Sequence, residues 1–256
     1  MCGRFVARAT PTQLAEQMAA INEAPALSGP DDPHYPNYNV APTTPITTVV
    51  CRHTEAGDEP SRRVRLMRWG FTPPWPPAGF DGQPVVKGAL LINARAETLT
   101  TSPAFRFSAA AQRCLVPVDG YYEWRVTTDS APGRQPHKTP FLLSPKNGEP
   151  LLLAGLWTAW RPDAAAPPRL SCAIITTAAS GELAAVHDRM PLILPAADWD
   201  RWLDPDAPAD AALLARPPDV QGIAVREVSR LVNSVRNNGP QLIEPAGPAP
   251  EQLTLL

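Results

Sequence analysis

The fold prediction depends on one stretch of sequence, Leu151-Leu152-Leu153-Ala154-Gly155-Leu156-Trp157-Thr158-Ala159-Trp160. It is an apolar run that contains aromatic residues, and such a run between turn-forming segments is typical of a buried β-strand. Comparable runs predict strands over Cys2–Ala7, Ile46–Arg52, Arg63–Trp69, Leu90–Arg95, Cys114–Val118, Tyr121–Val126, Phe141–Leu143, Leu170–Thr176 and Ile223–Val228. The chain is therefore predicted to consist mainly of strands.

Helical signals are short by comparison. Thr10-Pro11-Thr12-Gln13 is a capping box with proline at the first helical position, and it predicts a helix that carries Leu14, Met18 and Ile21 on one face. Further short helices are predicted over Pro103–Ala111, Ser180–Val186, Pro195–Leu203 and Asp210–Ala215. Residues 22–39 and 71–88 are predicted to be loops, and the segment after Gly239 is predicted to be partly disordered.

The composition supports this α+β prediction. Proline accounts for 33 of the 256 residues, whereas ordinary usage is about 5%. Because internal proline removes a backbone donor and clashes with the preceding helical turn, long-helix bundles and coiled coils are excluded. The hydrophobic fraction of 44% is enough to bury a core, which we expect to belong to one domain.

Charge and cysteine usage narrow the possible functions. The net charge is −2 and the acidic residues concentrate between Asp198 and Asp219, so no global basic field indicates a nucleic-acid partner. The four cysteines are far apart and form no C-x-x-C pair, which argues against a disulfide framework or a zinc site. No metal or other cofactor is expected. No apolar run approaches membrane-spanning length and the N-terminus has no apolar signal segment, so we expect a cytoplasmic protein with no membrane partner. We also expect a monomer.

Cys2 is the first candidate for chemistry. If Met1 is removed, Cys2 presents an α-amine with a pKa of about 7.7–8.0 beside a thiol with a pKa of about 8.5. Such a 1,2-aminothiol can act as an N-terminal nucleophile. Alternatively, its amine can condense with an aldehyde, and the thiol can then close a thiazolidine ring in a favourable intramolecular step. The simpler interpretation is an inert residue near the chain terminus.

Other polar residues fall where a cleft could form. In the predicted strands, Cys2 shares a face with Arg4, and Asn93 shares a face with Arg95 at the end of an apolar run. Glu123 lies among aromatic residues, so enclosure would favour its protonated form and make it a candidate general acid, whereas pairing with Arg125 would make it a structural ion pair.

His187 is the one histidine whose context indicates a possible role in chemistry. It follows a short predicted helix and precedes Asp188 and Arg189, so it could shuttle protons or simply be solvated. The other histidines lie in loop-like or strand-edge sequence that indicates no role.

A series of motifs covers the chain from Met1 to about residue 245: Met1–Phe5, Tyr38–Pro42, Trp69-Gly70, Ile92–Thr98, Gly120–Trp124, His187–Pro191, Val232-Asn233 and Arg236–Pro240. Taken together, these motifs and their order resemble the SRAP family, the SOS-response-associated peptidase or abasic-site-processing proteins. The resemblance implies a barrel-like core of twisted mixed and antiparallel sheet with short flanking helices. It implies one domain over residues 1–245, followed by a flexible tail over residues 246–256.

The resemblance also implies a function. SRAP proteins link covalently to abasic sites in single-stranded DNA through the N-terminal cysteine, and so shield the lesion during repair. Carried over by motif, Cys2 would be the nucleophile, Asn93 would orient it, Glu123 would transfer protons and His187 would assist at the deoxyribose. The implied DNA-binding residues are Arg4, Asn39, Pro42, Trp69, Trp75, Arg95, Arg189 and Asn238. The protein would be nucleoid-associated when bound to DNA, and a thiol autopeptidase activity could share Cys2.

One departure and two rival hypotheses accompany this resemblance. Family members often carry a Trp-Trp pair after the Trp-Gly motif, whereas in the segment Phe71–Pro77 the only tryptophan is Trp75. This departure weakens the case for a preference for junctions between single-stranded and double-stranded DNA.

One rival hypothesis is an N-terminal-nucleophile amidohydrolase of the glutamine amidotransferase type, although its Gly-His-Thr-Arg motif is missing from the sequence. The other is a non-catalytic single-strand-binding module in which Cys2 is incidental.

Overall fold

The computed structural model describes residues 2–26, 35–55, 57–85, 88–127 and 137–246. Thirteen strands lie within these residues: β1 Phe5–Ala7, β2 Ile21–Asn22, β3 Asn37–Val40, β4 Pro45–Arg52, β5 Ser61–Trp69, β6 Asn93–Arg95, β7 Arg113–Val118, β8 Gly120–Thr127, β9 His137–Pro145, β10 Leu151–Trp160, β11 Arg169–Ala178, β12 Arg189–Pro191 and β13 Ile223–Glu227.

The helices of the described residues are short. The α-helices are α1 Pro11–Gln17, α2 Arg106–Ala111, α3 Gly181–Ala184, α4 Trp199–Leu203 and α5 Ala211–Ala215. The 3₁₀ turns cover Ala96–Thr98, Ala196–Asp198, Arg230–Asn233 and Pro240–Leu242. At α1 the predicted capping box is confirmed, because the Thr10 hydroxyl accepts from the backbone of Gln13, whose side chain accepts from the backbone of Thr10.

The larger sheet closes on itself. Its strands run in the order β12-β11-β10-β7-β4-β5-β2, and β11 also pairs in parallel with β5, where Ser171 lies opposite Arg68. This pairing joins β11, β10, β7, β4 and β5 into a ring, so the predicted barrel-like core is confirmed. Closure removes exposed sheet edges, which would otherwise pair with other chains. The smaller sheet has the order β13-β9-β8-β1-β3 and is antiparallel throughout.

Alternation along the strands divides the core into layers, because successive side chains of a strand point to opposite faces. On β10, Leu153 packs in the layer between the two sheets, whereas Leu152 packs in the layer beneath α1, α2, α4 and α5. On β8, Tyr121 joins the layer between the sheets and Tyr122 faces a third layer under the 3₁₀ turn Arg230–Asn233. Full burial of each large apolar side chain contributes about 1.5–3 kcal/mol to stability.

Two strand pairings position the candidate site. β1 lies antiparallel to β8 with Phe5 opposite Tyr121, which places the chain start beside the Gly120–Trp124 motif. β6 lies parallel to β11 with Asn93 opposite Ile174. Gly120 permits the close approach of β8 to β9, because a Cβ atom there would lie 2.9 Å from the carbonyl oxygen of Leu143 on β9.

Several predicted boundaries are corrected by the structure. The first strand begins at Phe5 and not at Cys2. Helix α1 ends at Gln17, and Ala19 adopts a positive φ of 48°, so Ile21 lies in β2 with half of its surface exposed instead of on the helix face. The predicted loop over residues 22–39 contains the start of β3.

The chain end is described as far as Ala246. This residue donates a backbone hydrogen bond of 3.0 Å to the carbonyl of Glu227. The remaining residues of the predicted flexible tail, 247–256, lie outside the described part of the chain.

Candidate active site

Cys2 lies in the layer between the two sheets, with no exposed surface. Asn93, at the start of β6, donates a side-chain hydrogen bond of 2.9 Å to the carbonyl oxygen of Cys2. Burial, and after it the negative charge of Glu123, raises the pKa of the Cys2 thiol well above its ordinary value. At neutral pH this enclosed sulfur is therefore a neutral thiol.

Two further polar atoms near Cys2 are buried. The side-chain oxygen of Asn93 and the hydroxyl of Tyr121 have no hydrogen-bond partner in the structure of the described residues. A buried polar group without a partner costs free energy, so each such group calls for an explanation. The Asn93 amide thus holds the Cys2 backbone with its nitrogen and offers an acceptor with its oxygen.

Glu123 follows on β8, on the face that it shares with Tyr121, and only 3% of its surface is exposed. Burial raises the pKa of its carboxyl group, and the nearby His187 acts in the opposite direction. Arg125, the alternative ion-pair partner, instead places its guanidinium 4.5 Å from the ring centroid of Phe141. The environment of Glu123 is therefore the enclosed one, which favours the protonated acid.

His187 lies just after α3, where its backbone N–H donates to the carbonyl of Leu183 at 3.1 Å. Its Nδ1 accepts from the backbone N–H of Arg189 at 2.9 Å, so in the neutral ring the proton is on Nε2. The carboxylate of Asp188 lies 2.8 Å from the same Nδ1 and would pair with the protonated ring.

Arg4 is held from two distant parts of the chain. Its guanidinium donates to the side-chain oxygen of Asn39 at 2.7 Å and to the carbonyl oxygen of Val232 at 3.0 Å. It also lies over the ring of Trp124, 5.8 Å from the centroid. The amide nitrogen of Asn39 in turn donates to the carbonyl oxygens of Val232, Ser234 and Asn237.

An open pocket brings several of these groups together. It is lined by Arg4, Glu123, Trp124, Val126, Lys138, His187 and Asn233. Cys2 is not part of this lining, because it is buried in the core. The pocket therefore combines an enclosed carboxyl group and a histidine with two cationic side chains.

Two of the predicted DNA-binding residues need correction. Trp69 is fully buried, stacks with Phe5 at a centroid distance of 5.0 Å, and donates its indole N–H to the carbonyl of Ile92. Asn39 is 96% buried and uses its amide group inside the protein. Neither side chain presents a surface to DNA, because both are committed to internal contacts.

Arg95 and Arg189 differ in their availability to a ligand. The side chain of Arg95 is exposed and makes no hydrogen bond or ion pair within the described residues. Arg189 is committed to a two-bond ion pair with Glu97, at 2.5 and 2.9 Å, and to the carbonyl of Thr176 at 2.7 Å.

The remaining predicted DNA contacts lie outside the pocket. Trp75 is in the loop between β5 and β6 with 54% of its surface exposed. Pro42 is half-buried in the turn before β4. Asn238 is exposed, and its side-chain oxygen accepts from the backbone N–H of Tyr38.

The described part of the chain contains neither a metal-binding cluster nor a membrane-spanning helix. In it, no group of three or more His, Cys, Asp or Glu side chains could hold a metal ion. No helix among residues 2–26, 35–55, 57–85, 88–127 and 137–246 has the length and apolar character needed to cross a membrane.

The sequence matches a known protein family over most of its length. The family described as SOS response associated peptidase (SRAP) matches residues 1–235. The chain belongs to the SRAP family. It is 34% identical over 246 residues to the abasic site processing protein YoqW of Bacillus subtilis, a match that covers 95% of this chain and 99% of YoqW.

Two further comparisons extend this SRAP relationship. The abasic site processing protein YedK of Escherichia coli is 29% identical over 249 residues, with 96% of this chain and 100% of YedK covered. A crystal structure of a protein from Bacteroides thetaiotaomicron superposes with a TM-score of 0.75 at 22% identity, and covers 96% of this chain and 100% of that one. The latter likeness concerns the fold alone.

Sequence reasoning missed four residues of this SRAP pocket: Trp124, Val126, Lys138 and Asn233. Lys138 lies opposite Val126 on β9, and only the β8–β9 register could have placed it there. Asn233 accepts from the indole N–H of Trp124 at 2.7 Å, a contact between residues 109 positions apart. Trp124 was part of the quoted motif, but the alternation of β8 places it on the face opposite Glu123, so the strand pattern gave no signal for its place in the pocket.

Proposed function

We propose that this SRAP protein captures abasic sites in single-stranded DNA by a covalent bond to Cys2, and so protects the lesion during repair. The observation that carries the proposal is the enclosure of Cys2 beside Asn93 and Glu123. Relatives that cover nearly all of the chain carry the name abasic site processing protein, which supports abasic DNA as the substrate. The protein would act as a monomer with a single domain over residues 1–245, in the cytoplasm and at the nucleoid when bound to DNA.

The proposed reaction begins with removal of Met1, which converts the amide nitrogen of Cys2 into an amine. This amine adds to the C1′ aldehyde of the open-ring deoxyribose to give a carbinolamine, which loses water to give an iminium ion. The thiol sulfur then bonds to C1′, the electron pair of the C=N double bond passes to nitrogen, and the thiol proton passes to a base. The product is a thiazolidine, and no oxidant or reductant is needed.

Glu123 is the proposed proton-transfer group. Because burial raises the pKa of this carboxyl group, it can protonate the departing hydroxyl of the carbinolamine and afterwards accept the thiol proton. Asn93, with its nitrogen on the Cys2 carbonyl and its oxygen lacking a partner, would accept a hydrogen bond from the freed amine. His187, which also lines the pocket, would assist at the deoxyribose.

DNA would be held chiefly by cationic side chains at the pocket. Arg4 lies in the pocket wall and Arg95 is exposed at the end of β6, next to Asn93. A single strand needs few such contacts, because stacking on aromatic side chains such as Trp75 supplies much of the affinity. Pro42, Arg189 and Asn238 remain proposed groove residues of lower priority, since the last two are engaged in internal hydrogen bonds.

A thiol peptidase or amidohydrolase that uses Cys2 is the second candidate. The raised pKa of the Cys2 thiol argues against it, since thiol proteases rely on a thiolate formed at low pKa. Aldehyde capture depends less on ionisation of the Cys2 thiol, because the α-amine of Cys2 reacts with the aldehyde before the sulfur does. Autopeptidase activity, glutaminase activity and a passive binding module therefore serve as alternative outcomes of the experiments.

The decisive experiment incubates the purified protein with abasic single-stranded DNA and detects a shifted band that survives denaturation. We expect Cys2→Ala to abolish the stable adduct and to leave noncovalent binding largely intact. The matched control is Cys51→Ala, at a half-buried cysteine on β4, which should crosslink like the parent. Equal crosslinking by the Cys2→Ala protein would refute the proposal, and so would an intact mass that retains Met1 on crosslinking-competent molecules.

A further inference from the structure

Tyr121 is a buried polar side chain of the site for which the proposed reaction has no role so far. Its side chain has no exposed surface, and its hydroxyl has no hydrogen-bond partner in the structure of the described residues. A phenylalanine would fill the same space without the cost of burying an unpaired hydroxyl. The hydroxyl therefore needs an explanation, and its surroundings provide one.

Tyr121 lies in the same buried layer as Cys2. It is opposite Phe5 across the β1–β8 pairing and shares a strand face with Glu123 two residues later. Burial raises the pKa of the phenol well above its ordinary value, and the interactions with Cys2 and then Glu123 raise it further. The phenol thus stays protonated over the working pH range and acts only as a neutral donor or acceptor.

We propose that the Tyr121 hydroxyl donates a hydrogen bond to the Cys2 sulfur while the thiazolidine ring closes. The inference rests on the proposed function. In that step the thiol proton passes to the Glu123 carboxylate, the sulfur forms its bond to C1′, and the C=N electron pair passes to nitrogen. Negative charge develops on a sulfur that is enclosed away from water, where a fixed donor lowers the barrier most. Tyr121 itself transfers no proton, so the balance of the reaction is unchanged.

The test separates the two halves of the reaction in the full chain. Borohydride reduction traps the imine, which depends on the amine, whereas the denaturation-resistant adduct without borohydride measures ring closure. For Tyr121→Phe we expect imine trapping at the parental rate and ring closure slowed by roughly 10- to 100-fold, the range for one hydrogen bond to a charged group. The pH at which closure reaches half its maximal rate should also shift upwards, because the thiolate loses a stabilising donor.

Tyr122→Phe is the matched control. Tyr122 is equally buried, but its hydroxyl donates to the carbonyl of Tyr38 at 2.9 Å in the layer on the other side of the sheet. This variant should lose thermal stability and close the ring at the parental rate. Parental ring closure by Tyr121→Phe, or equal slowing of both steps, would overturn the role of Tyr121. Failure of the parent protein to form any adduct would instead overturn the proposed function.

Discussion

At the scale of single residues, Glu123 connects protonation with stability. Its pKa is raised in the folded protein, so the folded state binds its proton more tightly than the unfolded state. Stability from this group is complete below the unfolded pKa of about 4.3 and declines as the pH rises through the higher folded value. The site thus keeps its acid at the expense of stability at neutral pH.

Glu123→Gln tests both sides of this relationship. We expect the variant to form the stable adduct more slowly by about 10²-fold or more, the usual contribution of a general acid–base group. Its free energy of unfolding should equal or exceed that of the parent at pH 7, because the buried neutral amide carries no ionisation penalty. Adduct time courses and urea unfolding at pH 5 and pH 8 provide the measurements. An unchanged crosslinking rate would remove Glu123 from proton transfer.

At the scale of secondary-structure elements, one buried arginine joins two helix ends to the barrel. Arg113 on β7 is 2% exposed and donates to the carbonyl oxygens of Ala109, Ala110, Trp202, Asp204 and Ala207. The positive charge thus binds carbonyl groups in the last turns of α2 and α4 and in the segment that follows α4. Burial lowers the pKa of Arg113, and the carbonyl groups compensate for part of that desolvation.

Arg113→Leu should therefore lower the free energy of unfolding by about 3 kcal/mol or more, since each buried carbonyl left without a donor costs about 1–3 kcal/mol. Chemical denaturation followed by circular dichroism measures the change. Arg201→Leu on α4 is the control, because Arg201 is half exposed and forms an ion pair with Asp210; its effect should stay below about 1 kcal/mol. Equal effects of the two substitutions would contradict this account.

Local sequence signals predicted some secondary-structure elements correctly and misassigned the residues whose position depends on distant contacts. Strands such as β10 were predicted to the residue, because a long apolar run identifies a buried strand without further information. The α1 cap was predicted for the same reason, since its signal is local. Ile21 was misassigned because a positive φ at Ala19 ended the helix early, and Trp69 was misassigned because a motif does not reveal which face of a strand is buried.

The site itself was only partly predictable. Cys2, Asn93, Glu123 and His187 could be named from their chemistry and from the family resemblance. The sequence could not predict the hydrogen bond from Asn39 to Val232 or the position of Lys138, because both depend on contacts between distant segments. Local signals thus named the candidate groups, whereas long-range contacts decide how these groups are held.

At the scale of the whole molecule, charge is distributed unevenly. The segment between Asp198 and Asp219 carries a net charge of −4, so the rest of the chain carries +2. Arg4, Arg95 and Lys138 lie at the pocket or beside Asn93. Each phosphate contact to a single strand contributes about −0.7 to the slope of log K against log salt. Three contacts therefore predict a slope of about −2, a modest value for a DNA-binding protein.

This prediction is tested in a Cys2→Ala background, where binding is reversible. Fluorescence anisotropy with single-stranded DNA at several salt concentrations should show that Arg95→Ala makes the slope shallower by about 0.7. Arg201→Ala, in the acidic segment, should leave the slope unchanged. If both variants keep the parental slope, Arg95 does not contact a phosphate.

The anchoring of Arg4 by Asn39 and Val232 has a consequence for the newborn polypeptide. The ribosome synthesises Arg4 early, but the Val232 carbonyl to which its guanidinium donates lies 228 positions later in the chain. Arg4 therefore acquires this anchor only after the turn Arg230–Asn233 has been synthesised and has folded against the sheet. A nascent fragment that ends before this turn should hold the Arg4 side chain through Asn39 alone.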